Sequence, residues 1–431
     1  MRLLIAAGGT GGHIYPALAV ARSLLASADA PELDWVGGHR GLESGLVRAA
    51  GLPLRRLALR SLRTVDLSVN TVLDPARLAV SVPQATALLL RHRPAAIFTT
   101  GGYVAIPILL AAAPLRIPTV LWEGNVIPGR SVRTVARLAD SIAVSFAATC
   151  RSLGGRCYVT GTPIRDTREV DRAAARARFE LGADDRMMLI FGGSQAVRRF
   201  NAAVSDALPR LIARTHVVHV TGDTGYPGAL GDRERLPSNV RQRYRPYPFL
   251  RDDMLAALAA ADLVVGRGGS STLAEVTALG LPMVVVPYPH AAGHQRANAR
   301  VLVEAGGALL VEDEAFDADA LLDAAAILDD PARHKRMAEA SRALGRPGSA
   351  DAVAEIVLAA AEGRPAPDTE RLDRLSRGLV VRGVPPAEDA PAPADASATP
   401  DAPALAADDA PAAADASATP DAHEAYRGGD A

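Results

Sequence analysis

The sequence predicts an α/β protein made of two doubly wound parallel-sheet domains that face a cleft, followed by a disordered tail. Three observations predict it. Short apolar runs alternate with amphipathic helical runs, the alternation restarts midway along 431 residues, and glycine-rich turns follow the apolar runs. With 49% apolar residues the chain has material for two cores, and one core stops growing well short of this length.

The first set of strand-like runs is "RLLIAA" from Arg2, "ELDWVGG" from Glu32, "AAIFTTGG" from Ala95, "PTVLWEG" from Pro118, "SIAVSF" from Ser141 and "CYVTG" from Cys157. After "TPIRDTREVD" the pattern begins again with "RMMLIFGG", "HVVHVTG", "ADLVVGRGG" and "PMVVVPYP". The boundary is therefore expected near Pro163, giving a first domain of residues 1–163 and a second of 164–344. Ligands of such sheets bind beyond the carboxyl ends of the strands, so the cleft is the expected site.

From about residue 366 the composition shifts to Ala, Pro, Asp, Ser and Thr, and "ADASATPDA" occurs twice, at 394 and 414. Such a segment buries too little apolar surface to offset its ordering entropy, so 366–431 is expected to be disordered. Ten acidic residues against Arg427 lie beyond Val384, which leaves a basic body under a net charge of −1. A basic body suits phosphates or an anionic membrane surface; no nucleic-acid partner is expected.

Several classes are excluded at this level. The first apolar run is shorter than a secretory core, so no signal peptide is expected and the chain reads as cytoplasmic. The richest apolar stretch, Val104 to Leu121, is broken by Pro107, Pro114, Arg116 and Pro118 and suits a buried helix and strand better than a membrane span. Cys150 and Cys157 have no metal-ligand partners at a sensible spacing and are expected to be reduced thiols; no metal site is assigned.

The glycine turns carry the chemistry. "GGTGGH" follows a strand and opens a helix expected to hold Pro16 in its first turn, so Thr10, Gly11 and Gly12 form a seat for an anionic or oxygen-rich ligand, with His13 directly after it. A dinucleotide fingerprint needs a third glycine where Ile14 stands, which disfavours a nicotinamide cofactor. "FGGSQAVRRFN" brings Ser194 to a strand end, and "GRGGSSTLAEV" places Ser270, Ser271 and Thr272 before another helix. One such loop is weak evidence, since strand-to-helix turns are glycine-rich for steric reasons; three on facing domains point to a diphosphate. Glu275 could accept from a ribose diol, though by type it is an ordinary helix glutamate. Arg165 could neutralise a diphosphate. His294, Gln295 and Asn298 in "HAAGHQRANA" could read sugar hydroxyls or cap a helix.

In order and spacing, "GGTGGHIYPALAVA", "GGY" at 101–103, "EGNVIPG", "TGTPIR", "GGSQ", "DDM", "ADLVVGRGGSSTLAEV", "GLPMVVVPYP" and "HQRANA" resemble the MurG family of peptidoglycan N-acetylglucosaminyltransferases over about residues 1–362. The resemblance implies twin Rossmann-like halves of the GT-B architecture, with a helix from within 345–362 returning to the first domain. It implies transfer of N-acetylglucosamine from UDP-N-acetylglucosamine, a substrate, to the C4 hydroxyl of the muramoyl sugar of lipid I, with inversion and no cofactor. Thr10, Gly11, Gly12 and Asn125 would meet the sugar, Arg165, Ser194 and Ser270 to Thr272 the diphosphate, the Leu250 backbone the uracil, Glu275 the ribose, and Gln295 with His294 the sugar hydroxyls. Gly101, Gly102 and Tyr103 would face the acceptor. His13 is the expected base and Glu123 its rival. The polyprenyl acceptor implies work at the cytoplasmic face of the membrane, for which the segment from Val69 to Arg93, with Arg77, Arg91 and Arg93, is amphipathic enough. The tail is open to cell-wall synthesis proteins or to solubilisation alone.

The chain departs from the family pattern at Trp122 and Gly124, where that pattern has His and Gln, and at Ala196, Val197, Thr162 and Ala105. These changes leave two further readings open. One is another UDP-sugar enzyme, with a different acceptor or acting as a UDP-N-acetylglucosamine epimerase; the other is a noncatalytic nucleotide-sugar-binding protein.

Overall fold

The computed structural model describes residues 1–382 except 28, 40, 60–68, 193–197, 251–252, 290 and 292; the side chains of 69–76 also stand outside the description. Its first half runs β1 (Arg2–Ala6), α1 (Gly11–Leu25), β2 (Glu32–Gly37), α2 (Glu43–Ala49), β3 (Leu54–Arg56), α3 (Val69–His92), β4 (Ala96–Thr99), α4 (Gly102–Leu115), β5 (Thr119–Glu123), α5 (Arg130–Val135), β6 (Ser141–Val144), α6 (Ala147–Leu153) and β7 (Cys157–Val159). The seven strands form one sheet in the order β3-β2-β1-β4-β5-β6-β7, and every pair is parallel.

Period-two geometry explains the unbroken apolar runs. Leu3 and Ile5 of β1 point to one face, where Ile14, Leu18 and Val353 meet them; Leu4 and Ala6 point to the other, where Leu89, Val104 and Ile108 lie. Helices cover both faces, so a central strand such as β1 carries apolar side chains on both. Helix α1 begins at Gly11, which leaves Pro16 inside the helix rather than in its first turn.

The second half runs α7 (Arg172–Arg178), β8 (Met187–Phe191), α8 (Arg198–Leu211), β9 (His216–Val220), α9 (Tyr226–Arg235), β10 (Tyr244–Tyr247), α10 (Met254–Ala260), β11 (Leu263–Gly266), α11 (Ser270–Leu279), β12 (Met283–Val285), α12 (His294–Glu304), β13 (Ala308–Leu310), α13 (Ala318–Ala325) and α14 (Pro331–Leu344). Its six-stranded sheet, β10-β9-β8-β11-β12-β13, is again wholly parallel. Met187 and Leu189 feed one core of this half, Met188 and Ile190 the other.

The chain then returns to the first half. Helix α15 (Ser349–Ala361) buries Ala352, Val353, Ile356 and Val357 against α1, and Ser23 donates to Asp351 at 2.6 Å. One further helix corrects the expectation of disorder from 366. Asp368 caps α16 (Thr369–Ser376) by accepting from the Arg371 N–H at 2.7 Å, and Leu372 and Leu375 are fully buried. Arg346, on the crossover between α14 and α15, donates to Asp373 at 2.7 Å and to the Ser376 hydroxyl. Two leucines at helical spacing were enough to dock a segment that averages as polar. The rest of the expected tail, 383–431, lies outside the described residues.

Cys150 and Cys157 also differ from expectation: they form a disulfide. The turn through Gly154 and Gly155 brings the end of α6 back to the start of β7, with the two Cα atoms 5.6 Å apart, a span that a disulfide bridges. Among the described residues, no helix is long and apolar enough to cross a membrane.

Candidate active site

Three strand ends of the first half supply one wall. Beyond β1, Thr10 stands at the N-cap of α1 with extended backbone, and its hydroxyl makes no capping bond. His13, half-buried in the first turn, has Nδ1 2.8 Å from the Thr100 carbonyl. A carbonyl only accepts, so Nδ1 carries the proton and the neutral ring keeps its lone pair on Nε2. The Thr100 hydroxyl donates back to the His13 carbonyl at 3.0 Å, which ties the β4 end to α1. Gly101 and Gly102 follow, with φ of 80° and 72°; a Cβ on Gly102 would lie 3.5 Å from Nε2, so the ring rests over bare backbone.

Glu123 ends β5 and is buried. One carboxylate oxygen accepts from the Asn125 N–H at 2.8 Å and the Asn125 side chain at 3.0 Å; the other accepts from the Gly129 N–H at 2.9 Å. This geometry is that of a loop organiser and does not favour Glu123 as a base, since proton uptake would break bonds that shape the 124–129 turn. Tyr103 likewise departs from its expected place: it is buried, and its hydroxyl donates to Glu43 at 3.2 Å rather than facing an acceptor. Burial and the neighbouring Glu43 carboxylate push the phenol well above its ordinary value, so it stays a proton donor.

The 124–129 turn docks on the second half. The Val126 N–H donates to Asn298 Oδ1 at 3.0 Å, and Asn298 Nδ2 donates to Asn125 Oδ1 at 3.0 Å. Asn298 is fully buried and serves as a bolt between the halves, which corrects its expected role as a hydroxyl reader. His294 Nδ1 donates to the Ile127 carbonyl at 2.8 Å. Gly124 is pressed between halves: a Cβ there would lie 2.5 Å from the Trp122 ring and 2.8 Å from the Ser270 hydroxyl. The Trp122 indole itself donates to the Gly161 carbonyl at 3.1 Å.

In the second half, Ser270, Ser271 and Thr272 form the first turn of α11, where backbone N–H groups lack intrahelical partners. Ser271 Oγ is buried without a partner among the described residues. Arg165 reaches across 110 residues to Glu275, donating from Nε at 2.8 Å, so the expected diphosphate and ribose contacts lie side by side. Gln295 Oε1 accepts from the Tyr288 N–H at 2.9 Å, which fixes the side chain at the start of α12. Leu250 is buried just past β10. Ser194 lies outside the described residues. Sequence reasoning missed Glu43, Thr100 and Thr149; the last donates to the Asn125 carbonyl at 2.9 Å. Nothing local marks them, because their partners come from distant strand ends.

Two parallel sheets whose carboxyl ends meet, with His13 on one side and the N-terminus of α11 beside Arg165 on the other, make a two-domain architecture of the GT-B class. Residues 3–144 match the glycosyltransferase family 28 N-terminal domain and 187–356 its C-terminal domain. A Desulforudis audaxviator protein named UDP-N-acetylglucosamine--N-acetylmuramyl-(pentapeptide) pyrophosphoryl-undecaprenol N-acetylglucosamine transferase is 38% identical over 373 residues, 83% of this chain and 98% of its own. The Desulforamulus reducens protein of the same name is 35% identical over 371 residues, 83% of this chain and 97% of its own. The crystal structure of Acinetobacter baumannii MurG is 26% identical and superposes with a TM-score of 0.67 over 83% of this chain and 99% of that one. The chain belongs to this MurG family of N-acetylglucosaminyltransferases. A putative UDP-N-acetylglucosamine 2-epimerase from Listeria monocytogenes, 13% identical with a TM-score of 0.61 over 85% of this chain and 98% of that one, shares the fold alone. The epimerase and noncatalytic readings gain no support from these relatives.

Proposed function

We propose that the chain transfers N-acetylglucosamine from UDP-N-acetylglucosamine to the C4 hydroxyl of the muramoyl sugar of lipid I. The observation that carries this reading is His13, whose Nδ1–H is held by the Thr100 carbonyl so that Nε2 is the basic nitrogen. Nε2 takes the proton of the C4 hydroxyl, the oxygen attacks the anomeric carbon from the face opposite the phosphate, and the bond to the diphosphate breaks as UDP leaves. One displacement inverts the anomeric centre. Arg165 and the N-terminus of α11 meet the charge that builds on the leaving diphosphate, and no cofactor takes part in this scheme. Glu275 then has the ribose to accept from, Gln295 and His294 the sugar hydroxyls, and Gly101 and Gly102 the acceptor.

A lipid-linked acceptor calls for a membrane-facing surface. Helices α3 and α4 pack together and leave Val80 and Leu90 of α3 and Leu110 of α4 exposed, with Arg91 at the end of α3 and Arg93 just after it, which supports peripheral attachment to an anionic cytoplasmic leaflet. The test is UDP release from UDP-N-acetylglucosamine with and without a lipid I analogue, in the wild type and in His13→Ala. Acceptor-dependent release that falls about 10²- to 10⁴-fold in the variant is the expected result. Release without acceptor, or a variant at the wild-type rate, overturns the scheme.

A further inference from the structure

Glu43 is fully buried, yet among the described residues its hydrogen-bond partners include no cationic side chain. Oε2 accepts from the Gly9 N–H at 3.1 Å; Oε1 accepts from the Gly38 N–H at 3.1 Å and from the Tyr103 hydroxyl at 3.2 Å. A buried carboxylate is retained only where donors satisfy it, and these three come from the β1 turn, the β2 end and the start of α4. The glycines around it make the socket. A Cβ on Gly8 would lie 3.0 Å from Oε1, and one on Gly37 2.9 Å from Cγ; on Gly41 it would overlap Oε2, and on Gly38 the Tyr103 hydroxyl. The bare backbone before His13 is therefore shaped in part around this side chain.

What Glu43 holds is the scaffold of the first wall. Gly9 immediately precedes Thr10, the N-cap of the helix that carries His13; Tyr103 immediately follows Gly101 and Gly102, the backbone under the imidazole. We infer that Glu43 is a positioning residue for the transfer reaction: it fixes the β1 turn against the start of α4, so that the acceptor meets His13 in register. This inference rests on the reaction proposed above. The donor groups Arg165 and Glu275 and the N-termini of α11 and α12 lie outside its reach, so acceptor use and donor binding should separate.

The test uses the full-length protein with Glu43→Gln, Tyr103→Phe and the double variant. A glutamine turns an amide N–H₂ toward an N–H or O–H that now has an acceptor, so donor faces donor. Expected for Glu43→Gln are a fall of about tenfold or more in kcat/KM for a lipid I analogue and a calorimetric UDP affinity within about twofold of wild type. The Gly9 and Gly38 amides should exchange hydrogen faster. Tyr103→Phe should lower acceptor kcat/KM by a few-fold, about what one neutral hydrogen bond is worth, and the double variant should be no worse than Glu43→Gln alone. Wild-type acceptor kinetics in a folded Glu43→Gln protein overturns the inference, as does an equal loss of UDP binding or strict additivity in the double variant. If Glu43→Gln does not fold, Tyr103→Phe decides: unchanged acceptor kinetics overturns it. A wild type without acceptor-dependent turnover defeats the reaction assigned above, and the amide exchange of the variants then still tests the scaffold role.

Discussion

His219 makes a stability prediction that can be worked through. It lies on β9, 1% exposed, with Nδ1 3.0 Å from the hydroxyl of Tyr244 on β10 and Nε2 buried without a partner among the described residues. A protonated ring would bring a charged N–H into that site with nothing to receive it. Burial accordingly pushes the imidazole from its ordinary 6.5 down to about 3, against a small opposing pull from Asp232. The folded pKa is depressed, so below pH 6.5 the unfolded chain takes up a proton that the folded chain refuses. Stability is therefore whole above 6.5 and is lost as pH falls toward 3, at about 1.4 kcal/mol per unit. Between pH 8 and pH 5 the loss from this residue comes to about 2 kcal/mol, or about 2–3 °C in Tm for a unit the size of Met1–Val384. His219→Gln keeps a group that can bond Tyr244 and does not titrate. Urea unfolding followed by circular dichroism at pH 8 and pH 5 should show the variant losing about 2 kcal/mol less than wild type across that range. Equal acid losses in the two proteins would refute the reasoning.

Two other predictions concern the joints of the molecule. A chain ending after Arg382 should melt within about 1 °C of the full protein, whereas one ending after Gly363 loses α16 with its two buried leucines and should melt about 5 °C lower or more, by scanning calorimetry. Asn298→Ala should lower Tm and raise KM for UDP-N-acetylglucosamine, since each buried group it strands costs about 1–3 kcal/mol; Asn298→Asp should rescue neither, because its carboxylate would face the oxygens of Asn125 and Gly268.

The sequence was most readable where packing is symmetric. Central strands such as β1, β5, β8 and β11 are covered on both faces, and an unbroken apolar run announces that situation. Three of the four edge strands among the described residues escape it, β7 being the exception. β3 is "LRR" and β10 is "YRPY", half-exposed and carrying charge or proline, and β13 pairs with β12 alone through three residues. The same divide runs through the site. Glycine turns and His13 are visible because strand-turn-helix is a local pattern. Glu43 sits in "HRGLESG" and looks like any exposed helix start; only the meeting of three strand ends makes it a buried acceptor. Tyr103 and Asn298 were singled out for chemistry of their own, and tertiary contacts assign them to scaffolding.

The crowding at Gly124 also bears on how this sequence can have changed. The family pattern puts His and Gln where this chain has Trp122 and Gly124, and the two exchanges are sterically one event. With the indole in place, even a methyl group at 124 would meet its ring at 2.5 Å and the Ser270 hydroxyl at 2.8 Å. Bulk at 124 therefore requires both the indole and the Ser270 side chain to give way, so positions 122, 124 and 270 share one space across the seam and a change at one constrains the other two.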